Sequence, residues 1–116
     1  MKNGGDKKMK KKRVAIATSD GRLVNRHFGN SENFLIVDLF SDGSCELICV
    51  REFKDKEEDC SNEQRIEKRI DMLKDCDVIV ANRIGLCALE KLSDKIVLER
   101  QGFIKDALRE IMELFM

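Results

Sequence analysis

VAIATSDGRLVNRHFG, Val14 to Gly29, passes from a short apolar segment into a polar, glycine-punctuated loop carrying the only histidine, His27. Val14 to Ala17 is apolar at every position, the pattern of a strand covered on both faces, so it predicts a central strand of a layered α/β domain. Thr18 to Gly29 then lies past the carboxyl end of that strand, where open α/β sheets bind ligands. Asp20 and Gly21 form a turn signal within it rather than the converging carboxylates a two-metal nuclease needs.

Outward from this stretch, Phe34 to Phe40 reads as a second strand, Ser41 to Ser44 as a turn, and Cys45 to Phe53 as the returning arm of a hairpin. The first half is therefore antiparallel β. Lys54 to Asp59 is a charged connection, after which Ser61 or Asn62 caps a helix whose Ile66, Ile70 and Leu73 form an apolar stripe. Val78 to Ala81 makes a buried strand, Leu86 to Leu92 a short helix and Ile96 to Leu98 a further strand. Gly102 then leads into an amphipathic helix carrying Ile104, Ala107, Leu108, Ile111, Met112 and Phe115. The expected fold is a single α/β domain with a mixed five-stranded sheet flanked by helices. A right-handed crossover sets the Val78 strand parallel to a sheet neighbour, the Val14 strand, so that Thr18–Gly29 and Asn82–Gly85 open at one edge.

At 116 residues the chain suits one domain, and 42% apolar content supports one core. Its 22 basic and 22 acidic residues balance, so global charge implies no partner. Locally, Lys2, Lys7, Lys8, Lys10, Lys11, Lys12 and Arg13 face only Asp6; residues 1–12 are expected to be a disordered lysine-rich leader and 13–116 the domain. With no aromatic side chain interleaved, that leader does not suggest a nucleic-acid arm. No apolar run reaches the roughly 18 residues of a membrane span, and no secretory signal is visible. With five cysteines and no CxxC pair, reduced thiols and a cytoplasmic location are expected.

His27 can be read as a metal or cluster ligand, a general base or a loop residue bonded to backbone. Arg26 beside it disfavours ring protonation and leaves a nitrogen free to coordinate, and Gly29 permits close backbone approach. Asn82, Arg83, Ile84 and Gly85, between a strand and a helix, offer backbone N–H groups and a guanidinium to an anion; alternatively Arg83 caps the sheet edge. Cys45 and Cys49, about 13 Å apart along a strand, cannot share a zinc ion and are expected to pack as small apolar groups, as are Cys76 and Cys87. Cys60 differs: before a helix in an acidic connection, its thiolate is partly stabilised and can touch a ligand.

VAIATSDGRLVNRHFGNSENFLIVDL and DCDVIVANRIGLCALEKL together resemble the dinitrogenase iron-molybdenum cofactor biosynthesis family, the small domain of NifX-type carriers that also ends NifB-type synthases. The likeness covers Arg13 to Met116 and rests on the SDG turn, the HFG tripeptide and the RIG segment. It implies a ribonuclease H-like α/β motif without nuclease activity, which transiently binds an iron-molybdenum or iron-sulfur cluster passing between donor and acceptor assembly proteins. It further implies His27 as leading ligand; Cys60, expected as a second metal contact from its place before the helix, stands alone where some relatives carry a longer cysteine-, glycine- and histidine-containing loop. By the same likeness Arg26, Arg83 and the Gly85 backbone are expected to hold the cluster or its organic acid, with Phe28 and Gly29 expected in the same binding site. Neither nucleic acid nor membrane is implied as a partner, and the expected state is a monomer or weak homodimer. The alternative is a regulatory or interaction domain of the same fold, binding a partner or small anion without metal.

Overall fold

The computed structural model describes residues 10–53 and 62–116. Its strands are β1 (Lys11–Ala17), β2 (Leu23–Val24), β3 (Asn33–Phe40), β4 (Cys45–Glu52), β5 (Val78–Ala81), β6 (Ile96–Glu99) and β7 (Gly102–Phe103). Its helices are α1 (Asn62–Met72), α2 (Leu86–Lys91) and α3 (Ile104–Phe115). Five strands form one mixed sheet in the order β4-β3-β1-β5-β6, with β3 antiparallel to β1 and β4, and with β5 parallel to β1 and β6. The pairing Val14↔Val78, Ala15↔Ile79, Ile16↔Val80 is the parallel neighbourhood expected from the crossover.

Alternation along β1 and β5 explains their unbroken apolar runs. Ala15, Ala17, Ile79 and Ala81 face one core with Leu73, Ala88 and Leu92, beneath α1 and α2. Val14, Ile16, Val78 and Val80 face the other with Ile104, Ala107 and Ile111 of α3. Each such fully buried Val, Ile or Leu contributes about 1.5–3 kcal/mol, and a strand lying between two helical layers has no polar face. No described helix is long and apolar enough to cross a membrane.

Two expectations are corrected and one element is added. β1 begins at Lys11, inside the expected leader, because Lys11 and Lys12 pair with Phe40 and Leu39 at the far end of the long β3; residues 1–9 lie outside the described residues. Cys45 and Cys49 are exposed rather than packed, since β4 is the sheet's edge and remains open on both faces along nearly its whole length. Cys76 is buried and Cys87 partly so. Finally, a small second sheet, β2 against β7, pins the loop after β1 to the start of α3.

At the opposite end of the sheet from that loop, Arg13 joins Asp38 through two bonds of 2.8 and 3.0 Å and Asp75 through one of 3.0 Å. Arg51 closes on the same Asp75 at 2.6 and 2.8 Å. The guanidinium of Arg13 holds the Asp38 carboxyl below its ordinary value, and Arg51, followed by Arg13, does the same to Asp75.

Candidate functional site

Because β1 and β5 are parallel, their following loops leave the sheet at one edge, and backbone bonds then draw the two loops together. Phe28 N–H donates to Arg83 O at 2.9 Å and Asn82 N–H to Arg26 O at 2.8 Å. His27 and Arg83 form an isolated parallel bridge, so the imidazole-bearing and guanidinium-bearing residues stand side by side, as the sequence predicts. Arg26, His27, Arg83 and Gly85 are exposed there.

Burial beneath the loop makes the arrangement firm. Phe28 is fully buried, with its ring centroid 5.7 Å from that of Phe34. Its side chain therefore faces the core and anchors the turn, instead of lining the opening. Arg69 of α1, also fully buried, donates from Nε to Ser31 O at 3.0 Å and lies 4.4 Å from the centre of the Phe53 ring. Sequence reading overlooked Arg69, although a signal existed: it falls on the Ile66–Ile70–Leu73 stripe, where a charge is out of place unless something meets it. Behind the loop, Ile104 N–H donates to Arg22 O at 2.8 Å.

The glycines and the second loop need revision. A Cβ at Gly29 would meet the Ile66 side chain at 3.8 Å, an ordinary contact, so no close approach demands glycine there; at Gly85 it would meet nothing within 4 Å. Of the backbone donors expected to be free at Asn82–Gly85, Ile84 N–H is already given to the Glu99 carboxylate at 2.7 Å, and Asn82 N–H to Arg26. This chain's own anion thus sits at the start of α2. Glu99 was not legible as part of the site, because it arrives from the end of a different strand.

Asp20 is a turn residue. Its Oδ1 accepts from Arg22 and Leu23 N–H at 2.9 and 3.1 Å, bonds that lower its carboxyl's affinity for a proton, while Gly21 takes φ 76°. Cys60 lies outside the described residues. Among the described residues, no ring or side-chain hydrogen bond engages His27, no carboxylate pairs with Arg26 or Arg83, and no group of three or more His, Cys, Asp or Glu side chains is poised to enclose a metal ion. The edge is therefore open and cationic, and offers one imidazole.

The family model described as "Dinitrogenase iron-molybdenum cofactor" matches residues 10–114. Protein NifX of Azotobacter vinelandii is 36% identical over 80 residues, covering 69% of this chain and 49% of that protein. The FeMo cofactor biosynthesis protein NifB of Frankia alni is 30% identical over 104 residues, 84% of this chain and 20% of that one. The chain thus spans about half the length of NifX and a fifth of NifB. In fold, it is similar to the crystal structure of PH0822, with a TM-score of 0.67, 24% identity and coverage of 87% and 90% of the two chains. It is also similar to mj0327 of Methanocaldococcus jannaschii, with a TM-score of 0.59, 20% identity and coverage of 90% and 91%.

Proposed function

The chain belongs to the dinitrogenase iron-molybdenum cofactor family, and from that premise we propose that it is a non-catalytic carrier whose cargo is an anionic iron-molybdenum or iron-sulfur cluster. It receives the cluster from a donor assembly protein and yields it to an acceptor. His27 coordinates one exposed metal through a ring nitrogen. Arg26 and Arg83 offset the cluster's negative charge or bind its organic acid as guanidinium forks. Gly85, with open space where a side chain would stand, leaves the cargo room.

One observation carries this reading: the backbone pairing of His27 with Arg83, which sets an imidazole metal ligand beside a cation at an exposed edge. A closed four-ligand cage retains its metal, whereas a single protein ligand with charge support allows hand-over. Glu99 works in the opposite sense, since its carboxylate repels an anionic guest and favours release.

The test is anaerobic loading from a cluster-bearing donor, read by bound iron and by visible absorption. Wild-type protein should acquire colour and iron, His27→Ala should lose both, and Arg83→Gln should bind more weakly in a salt-dependent way. Full loading of His27→Ala would overturn the assignment. Wild-type protein that stays colourless against every donor would favour the regulatory or interaction domain, which needs no metal.

A further inference from the structure

A second surface stands apart from the edge site. β4 borders the sheet, and Leu47, Ile48 and Val50 on it are 65%, 37% and 55% exposed. A long edge strand carrying bare aliphatic side chains is a template for another strand. We propose that its occupant is β4 of a second copy of this chain, paired antiparallel about a two-fold axis to give one continuous sheet.

The argument rests on the β-bulge and on charge. Antiparallel partners across such an axis place their side chains on the same face of the merged sheet, so in a regular strand each pair must lie an even number of positions apart. β4 is not regular. Ile36 pairs with Cys49 and Val37 with Leu47, which leaves Ile48 as the extra residue. Cys45, Leu47 and Val50 consequently share the face of their partners Leu39, Val37 and Leu35, while Glu46, Cys49 and Arg51 share the face of Asp38, Ile36 and Phe34. Across the bulge the parity reverses, and only pairs an odd number of positions apart agree in face.

Among these registers, one sets Leu47 opposite Val50 of the second copy and Glu46 opposite its Arg51, and symmetry repeats both contacts. The same register sets Cys45 opposite Glu52; sliding by one permitted step puts Glu46 against Cys49, or Leu47 against Glu52, and in either case separates Glu46 from Arg51. Glu46 has no cationic partner among the described residues and sits directly opposite the like-charged Asp38 of β3. The Arg51 guanidinium is already bonded to Asp75 and to Met72 O, so Glu46 of the second copy joins an existing ion pair: it loses little side-chain freedom there, and it gains less than a free cation would give. Of the pairings that span the bulge, this one alone joins Glu46 to Arg51. The site around His27 is on the loops after β1 and β5 and stays open in such a dimer.

Sedimentation equilibrium of the full chain should show a monomer–dimer equilibrium dependent on concentration. Glu46→Arg replaces two attractive cross-strand pairs by two repulsive ones and should weaken dimerisation by about tenfold or more. Leu47→Asp, at an exposed position that leaves the fold intact by circular dichroism, should weaken it at least as much. Register is read separately, with Cys45, Cys49, Cys60 and Cys87 replaced by Ser. Oxidising a mixture of the Leu47→Cys and Val50→Cys variants should give mainly the mixed disulfide, because neither position faces itself. Wild-type protein that remains monomeric at every concentration overturns the proposal. So does undiminished dimerisation of both Glu46→Arg and Leu47→Asp, or self-linked disulfides in excess of the mixed one. None of these readouts involves cargo, so they are independent of the carrier reading.

Discussion

Phe28→Ala tests whether the functional turn is built into the core or merely rests against it. Phe28 is fully buried and belongs to the cluster containing Ala17, Phe34, Ile79 and Ala81, the central strands themselves. Truncation removes the transfer free energy of the ring and leaves a cavity that Phe34 and β1 cannot collapse to fill, for a loss of about 3–5 kcal/mol. A domain of this size has about 5–15 kcal/mol in total, so the melting temperature should fall by roughly 10–25 °C. Thermal and urea denaturation followed by circular dichroism provide the assay, with Gly29→Ala as the near-neutral control. Amide exchange adds location: the Phe28 and Asn82 amides, which hold the two loops together, should lose protection along with the sheet. A fall below about 3 °C, with both amides still protected, would refute the claim that the site's turn shares the core's stability.

Other expectations follow from the same geometry. The folded-state carboxyls of Asp38 and Asp75 are held below their ordinary values, so their stabilisation is complete above the unfolded carboxylate range near pH 4 and is lost as pH falls through the folded values. Melting temperature should therefore be flat near neutrality and drop in acid, with a shallower drop in Asp75→Asn. Under the carrier reading, Glu99→Gln keeps an acceptor for Ile84 N–H but removes the negative charge, and should slow cluster release several-fold; faster release would refute the role given to Glu99. Gly85→Ala should leave stability within about 0.5–1 kcal/mol of wild type yet reduce loading, because the new methyl enters only the open space at the edge. Native thiol titration should find Cys45 and Cys49 reactive, while Cys76, pushed up to about 12 chiefly by burial and secondarily by Asp75, resists until the protein unfolds.

What could be read from the chain, and what could not, divides along a physical line. β1 and β5 announce themselves because helices cover both their faces, and a doubly covered strand has no polar position to interrupt it. That assignment already brings the loop bearing His27 and the loop bearing Arg83 to one edge, since two parallel neighbours must release their chains on the same side. β4 shows why such reasoning stops. Leu47 to Val50 is as apolar as an interior strand, yet being an edge depends on what pairs beyond it, which no local pattern contains. Leu23–Val24 and Gly102–Phe103 are too short to express a period, although their pairing restrains the loop behind His27. Glu99 and Arg69 were hidden for a related reason, each acting on a backbone group far away in sequence: Ile84 N–H for one and Ser31 O for the other. Under the carrier reading, Glu99 bears most directly on function. A cationic edge with one imidazole would simply hold an anion, but a carboxylate bonded into the same loop sets an opposing charge against it. Under the carrier reading, it is the balance of Arg26 and Arg83 against Glu99, more than the single ligand, that decides whether the guest is kept or passed on.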